Sequence, residues 1–175
     1  YEKFKNDSKV ILDGSGGDEI GAGYRYYLIP WYLDMLNQSN INPSKRLFSI
    51  LGKHESLSKS QFILGSLSYY FKKGTATQDG SMTEVLNLLN KDFTNKFIHN
   101  KPDLRRPFKS HLRNAQYEDF TYVKLPRSLR YTDRNSMRNS VEARLPFLDH
   151  EVVEWCFQIP SKYKFLYSQD RIILK

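Results

Sequence analysis

Residues 10–24 read VILDGSGGDEIGAGY, and this stretch decides the predicted fold. The apolar run from Lys9 to Leu12 is typical of a short buried strand, and Asp13-Gly14 opens a turn after it. Glycines in such a turn let backbone N–H groups come close to an anion, and a helix is expected to follow. The stretch therefore predicts a strand–turn–helix unit.

This turn carries two adjacent carboxylates, Asp18 and Glu19, at or near the start of the predicted helix. Acidic side chains in that position can simply stabilise the helix N-terminus. A carboxylate beside a glycine turn can also hold a divalent cation that bridges to phosphate groups. The spacing matches neither the P-loop nor the dinucleotide-binding fingerprint, so the residues by themselves leave both interpretations open.

The composition of the 175 residues indicates a globular protein, with 39% hydrophobic and 26% charged residues. The net charge of +8 would suit a polyanionic partner. Because the basic residues are scattered, however, dedicated nucleic-acid binding is disfavoured. A single cysteine, Cys156, predicts a reducing, cytoplasmic location, and no apolar run approaches the length of a membrane span.

The rest of the chain has mainly helical patterns. Helices are predicted at residues 24–36, Ser44–His54, Ser58–Lys73, Met82–Asn90, His111–Lys124, Arg127–Val141 and Glu151–Gln158, with a loop at Lys101–Pro107. Asp149 is the expected N-cap of the last helix, and Pro30 should kink its helix or end a first turn near Ile29. One strand cannot form a sheet, so partner strands are expected outside the chain. The isolated chain should then either self-associate or rely on its helical core.

A second distinctive stretch is LRYTDRNSMRNSVEARLPFLDH, residues 129–150, which mixes charged and apolar positions. Helical spacing places Arg130 and Arg134 on one face with Asp133 beside them, as in ordinary surface ion pairs. Glu142 and Arg144 lie within an apolar run. We therefore expect these two charges to be partly buried, paired, and used to tie the turn to a neighbouring element.

Together, residues 12–24 and 129–154 resemble the synthetase domain of the glutamine-hydrolysing asparagine synthetase family, and DRIILK at residues 170–175 resembles its closing motif. The resemblance implies that residues 1–175 are a mainly α fragment of an α/β adenine-nucleotide α-hydrolase-like domain, with one strand and a helical C-terminal bundle. The family's N-terminal glutaminase domain and its Ser-Gly-Gly-x-Asp-Ser ATP loop are absent from these residues. The chain alone is therefore expected to be inactive.

By the same resemblance, the complete protein would convert aspartate to asparagine through β-aspartyl-AMP, with ammonia from a glutaminase domain. The implied ligands are ATP, Mg²⁺, and aspartate or another carboxylate. Asp18 would be a magnesium ligand, and Arg171 would be the catalytic cation that stabilises the charge leaving on pyrophosphate. The residues that would line the ATP and acyl-adenylate site are Asp13, Gly14, Ser15, Gly16, Gly17 and Glu19.

Three positions depart from the family pattern. Ser15 stands where glutamate or glutamine is usual, and its neutral hydroxyl is a poor general base. Arg171 replaces the usual lysine with a bulkier, fork-shaped cation, and Lys175 replaces the usual final arginine. These departures leave open a divergent member that acts on another acyl substrate, similar to β-lactam synthetases or lasso-peptide cyclases. They also leave open a scaffold that kept the fold without catalysis.

Overall fold

The strand predicted from the glycine-rich stretch forms at Val10–Leu12 (β1) in the computed structural model, which describes residues 1–3, 6–36, 89–97 and 105–164. The remaining elements are Gly17–Gly21 (α1), Leu28–Leu36 (α2), Lys91–Phe97 (α3), His111–Thr121 (α4), Lys124–Arg138 (α5), Glu142–Arg144 (β2), His150–Gln158 (α6) and Ser161–Lys164 (α7), with 3-10 turns at Arg25–Tyr27 and Pro146–Leu148. The described residues are mostly helical and form one small sheet, as expected for a fragment of an α/β domain.

The sheet corrects the prediction that the chain holds one strand and that its partners lie elsewhere. β1 pairs in parallel with β2, and Ile11 lies opposite Ala143 in the register. The sequence EAR that forms β2 has no β-branched run and no alternation long enough to predict a strand. Its extended conformation follows from pairing with β1, a contact between distant parts of the chain.

The hydrophobic core lies between α2 and α4. Trp31 and Met35 of α2 are buried against Leu112 and Ala115 of α4. Pro30 lies in the first turn of α2, where its missing N–H costs no hydrogen bond, so the helix continues through it. The proline therefore neither ends nor breaks the helix that the pattern predicted.

A buried carboxylate ties α2 to α4 and α7. Asp34 accepts hydrogen bonds from the backbone N–H groups of His111 and Leu112, at 2.6 and 3.2 Å, and from the hydroxyl of Ser161 at 2.9 Å. The first N–H groups of a helix have no partner within the helix, so Asp34 stabilises the start of α4 from another element.

The other predicted boundaries are largely as observed. The predicted helices His111–Lys124 and Arg127–Val141 correspond to α4 and α5, with the break at residues 122–123. The Asp149 side chain caps α6 as expected, accepting from the N–H of Glu151 at 3.0 Å.

Several predictions cannot be compared with the structure. Ser44–His54, Ser58–Lys73, most of Met82–Asn90 and Arg171 lie outside the described residues. In the described part of the chain, no helix has the length and apolar character needed to cross a membrane.

Candidate functional site

The glycine-rich turn begins at the carboxyl end of β1, and Asp13 organises its first residues. The Asp13 carboxylate accepts hydrogen bonds from the Ser15 backbone N–H, at 2.8 Å, and from the Ser15 hydroxyl. The Ser15 hydroxyl bond is the main reason that the pKa of Asp13 is lowered. Ser15 therefore acts as a hydrogen-bond donor that closes the turn.

Two glycines of the turn pack directly on the second distinctive stretch. Gly16 has φ of +96°, and a Cβ at that position would lie 2.3 Å from the Cδ2 atom of Leu148. A Cβ on Gly17 would lie 3.2 Å from the ring of Phe147. Gly14 has nothing within 4 Å of its equivalent position. Close packing thus explains why positions 16 and 17 carry no side chain. At Gly14, by contrast, the backbone of the turn has free space beside it.

The two carboxylates of the turn lie in different environments on α1. Asp18 is partly buried in the first turn of the helix. Glu19 is 3% exposed and accepts a hydrogen bond from the Tyr24 hydroxyl at 2.7 Å. Burial raises the pKa of Glu19, and the Tyr24 bond opposes that rise. Asp18 is therefore the carboxylate that a solvent-borne ligand can reach more readily.

Two buried polar side chains, joined by a hydrogen bond, support α1 from α4 and α7. Gln116 of α4 is fully buried and donates from Nε2 to the backbone carbonyls of Glu19 and Ile20, at 2.7 and 2.8 Å. Its Oε1 atom accepts from Nζ of Lys164, a fully buried lysine of α7, at 2.7 Å. Sequence reasoning missed both residues because their roles depend on tertiary contacts rather than on local pattern.

Lys164 gives a testable pH dependence. Burial lowers its pKa from 10.5 to about 7, Cys156 opposes the change and Arg113 reinforces it. Between these values the unfolded chain binds a proton that the folded chain has lost, so the free energy of unfolding rises with pH, by up to about 1.4 kcal/mol per pH unit. Chemical denaturation of the complete protein at pH 7, 8 and 9 should show this rise.

Lys164→Met should flatten that pH dependence, because methionine has no titrating group. Lys162→Met, on the same short helix, is the matched control and should keep the rise. Equal slopes in the unaltered protein and in Lys164→Met would show that Lys164 does not titrate in this window.

A cluster of tyrosines, Tyr24, Tyr26 and Tyr27, follows α1. Tyr26 and Tyr27 both donate to Oδ2 of Asp119 on α4, at 2.6 and 2.7 Å. The Tyr24 and Tyr26 rings stack with centroids 5.2 Å apart. These aromatic side chains hold the segment after α1 against α4.

The prediction for Glu142 and Arg144 was wrong in part. Their side chains pair with each other at 2.9 Å, but both are exposed, at 57% and 63%. Backbone hydrogen bonds hold β2 against β1 instead. The N–H of Glu142 donates to the Lys9 carbonyl at 2.7 Å, and the N–H of Asp13 donates to the Arg144 carbonyl at 2.8 Å. An exposed ion pair of this kind adds little stability.

The family model described as asparagine synthase matches residues 1–175. The chain belongs to the asparagine synthase family. Asparagine synthetase [glutamine-hydrolyzing] 2 of Bacillus subtilis (strain 168) is 25% identical over 178 residues, which cover 95% of this chain and 19% of that protein. A protein of Mycobacterium tuberculosis (strain ATCC 25618 / H37Rv), provisionally named glutamine-hydrolysing asparagine synthetase, is 26% identical over 174 residues, which cover 95% of this chain and 26% of the relative.

The chain thus spans between 19% and 26% of the length of these asparagine synthetases. No solved structure matches it. Within this chain, the two stretches that carry the resemblance to the family, residues 12–24 and 129–154, contact each other through Gly16, Gly17, Phe147 and Leu148.

Proposed function

We propose that the complete protein carrying this chain is an ATP-dependent, amide-forming ligase of the asparagine synthetase type. It activates the side-chain carboxylate of aspartate as an acyl adenylate and releases pyrophosphate. Ammonia derived from glutamine then forms the amide bond and displaces AMP. Family membership and the names of the relatives support this proposal, and the described chain alone is expected to be inactive.

The observation that carries the proposal is the joining of the two distinctive stretches at one edge of the sheet. β1 and β2 are parallel, so their carboxyl ends, Leu12 and Arg144, lie side by side. Ligands of α/β proteins bind beyond the carboxyl ends of parallel strands. The glycine turn and the Pro146–Leu148 turn both follow those ends, so the residues proposed to bind nucleotide lie where such folds place ligands.

The donor set fits magnesium held through a single protein carboxylate. Among the described residues, no group of three or more His, Cys, Asp or Glu side chains is positioned to hold a metal ion. Mg²⁺ is commonly bound through one or two carboxylates together with substrate phosphates and water, so Asp18 is sufficient as the contribution of this chain. The cation supplies positive charge that stabilises the leaving pyrophosphate.

The remaining roles belong to the chain itself. Asp13 and Ser15 fix the turn by their mutual hydrogen bonds, and Gly14 leaves the backbone open to the adenylate. Glu19 supports the loop through Tyr24. Arg171, outside the described residues, is proposed to stabilise the same developing charge as the magnesium ion.

Ser15 favours one alternative, a family member that adenylates a different acyl substrate. Serine has only a short hydroxyl side chain, and this hydroxyl donates to Asp13. A carboxylate or amide group, as in the usual glutamate or glutamine, is therefore not available to a ligand at this position. A ligase similar to β-lactam synthetases or lasso-peptide cyclases would keep the adenylation and change the acid and the amine.

Exchange between ATP and labelled pyrophosphate tests the proposal. The complete protein should catalyse exchange when Mg²⁺ and aspartate are both present, because pyrophosphate can re-enter only when an acyl adenylate forms. Exchange with another acid but not with aspartate would favour a family member that adenylates a different acyl substrate. A folded protein that binds ATP and exchanges with no acid would favour a non-catalytic scaffold.

A further inference from the structure

The short helix α1 depends on other elements for its position. It has five residues, Gly17–Gly21, whereas isolated helices become marginally stable in water only at about 12 residues. Its N-cap is Gly16, which has no side chain that could cap the helix, and its last turn has no basic residue. The contacts at its two ends therefore decide where Asp18 and Glu19 lie.

The carbonyl end of α1 is capped by a side chain of α4. The last carbonyl groups of a helix have no partner within that helix. Gln116 donates from Nε2 to the carbonyls of Glu19 and Ile20, at 2.7 and 2.8 Å. The Asp18 carbonyl accepts from the N–H of Gly23 at 2.8 Å. Gln116 thus supplies from α4 a cap that the residues of α1 do not supply.

Lys164 fixes the orientation of the Gln116 amide group. Its Nζ atom donates to Oε1 of Gln116 at 2.7 Å, and both side chains are fully buried. An amide turned by 180° would place Oε1 against two carbonyl oxygens and its NH2 group against a donor, so the observed orientation is the one that satisfies all these groups. A lysine amine donates whether it is neutral or protonated, so this bond forms in either charge state.

A displaced α1 would affect the proposed metal ligand directly. Asp18 precedes Glu19, whose carbonyl Gln116 holds, so the two residues move together. Mg²⁺ requires nearly ideal octahedral geometry, with ligand distances of about 2.0–2.1 Å, and tolerates little displacement of a ligand. Groups that orient metal ligands from behind typically change metal affinity by about 10–100-fold when they are removed.

We propose that Gln116 and Lys164 are positioning residues for the metal site of the complete protein, and that they hold the carbonyl end of α1 so that the Asp18 carboxylate faces the bound Mg²⁺. This role rests on the proposed function, in which Asp18 holds the cation. Gln116 acts on Asp18 through the backbone of α1, and Lys164 acts through Gln116. Neither side chain touches the metal or the nucleotide in this role.

Nucleotide binding with and without metal tests the positioning role. Calorimetric titration of the complete protein with a non-hydrolysable ATP analogue gives one Kd in Mg²⁺ and another in EDTA, at a temperature at which circular dichroism shows every variant folded. Gln116→Met should raise the Kd in Mg²⁺ about tenfold and leave the Kd in EDTA unchanged. Lys164→Met should raise the Kd in Mg²⁺ roughly threefold, the effect of one hydrogen bond. Lys162→Met, on the same short helix, is the matched control and should change neither value.

Three further variants separate positioning from packing. Gln116→Glu keeps an acceptor for Lys164 but its carboxylate cannot donate to α1, so it should weaken binding in Mg²⁺ as much as Gln116→Met. Lys164→Arg keeps a donor and should retain a Kd close to that of the unaltered protein. The double methionine variant should bind no more weakly than Gln116→Met alone, because Lys164 acts through Gln116. A rise of about thirtyfold, the product of the two single effects, would contradict that coupling.

Hydrogen exchange measures the same support without any ligand. The amides of Ile20 and Gly23 donate to carbonyls of the turn and of α1, at 3.1 and 2.8 Å. In Gln116→Met both should exchange about tenfold faster, because the end of the helix opens more often. The Asp13 amide, which donates to β2, should keep its rate. If Gln116→Met does not fold, Lys164→Met gives the same test with a smaller expected effect.

The proposal and the proposed reaction can fail separately. Equal Kd values in Mg²⁺ for the unaltered protein and the two methionine variants would overturn the positioning role, even if hydrogen exchange is faster, because the contacts would then support the fold alone. If the variants weaken only binding in Mg²⁺ while no acid supports pyrophosphate exchange, the positioning role stands and the reaction fails. If pyrophosphate exchange proceeds and the variants keep both its rate and the Kd, the reaction stands and the positioning role is wrong.

Discussion

Gly16→Ala should lower the free energy of unfolding by about 2–5 kcal/mol. Gly16 has φ of +96°, a conformation that costs an L-residue roughly 1–2 kcal/mol. The new methyl group would also lie 2.3 Å from Cδ2 and 3.2 Å from Cγ of Leu148, and overpacking of this kind costs about 1–3 kcal/mol. Chemical denaturation of the complete protein measures the loss.

Gly14→Ala is the matched control, because nothing lies within 4 Å of its added methyl group. It should change the free energy of unfolding by less than about 1 kcal/mol. In a Leu148→Ala background, Gly16→Ala should cost only its backbone part, since the clashing side chain has been removed. Equal costs for Gly14→Ala and Gly16→Ala would mean that the turn does not pack on residues 147–148.

Asp18→Ala should reduce the rate of ATP–pyrophosphate exchange by roughly 100-fold or more, the loss typical of removing one group that stabilises a transition-state charge. The proposed role of Asp18 is to hold the cation that stabilises pyrophosphate, so its carboxylate acts on the reaction rather than on the fold. Magnesium-dependent ATP binding, measured by calorimetry, should weaken in parallel.

Two further variants make this result specific. Asp18→Asn keeps the shape of the side chain and removes its charge, so it should lose exchange nearly as fully as the alanine variant. Asp92→Ala removes an exposed carboxylate from α3 and should retain full exchange. Exchange that survives in both Asp18 variants would remove Asp18 from the metal site.

The local parts of this fold could be predicted from the sequence. The strand at Val10–Leu12, the turn after it and the short helix that carries Asp18 and Glu19 follow from an apolar run, glycines and a helix start within a dozen positions. The Asp149 cap was equally predictable, because an N-cap bonds a backbone group only two residues away.

The parts that could not be predicted depend on distant contacts. β2 exists because residues 142–144 meet β1, and nothing in the letters EAR favours a strand. Asp34 stabilises the start of α4 across a separation of 77 positions, to His111. Gln116 and Lys164 support α1 for the same kind of reason, since buried polar side chains must find partners wherever the fold supplies them.

Part of the candidate site was predicted as a list of residues but not as an arrangement. The family resemblance implies that Gly16 and Gly17 line a ligand site, and the structure shows in addition that they contact Phe147 and Leu148. That contact joins the two motifs. It could not be predicted from local sequence, because the residues that meet are more than 120 positions apart.

The most direct test of the account is the position of the metal. Crystals of the complete protein with Mn²⁺ in place of Mg²⁺ and a non-hydrolysable ATP analogue would locate the metal by its anomalous scattering. We expect a metal peak at coordination distance, roughly 2.0–2.2 Å, from a carboxylate oxygen of Asp18, with the nucleotide beyond the carboxyl ends of β1 and β2. A nucleotide and metal bound entirely by other residues would contradict the account.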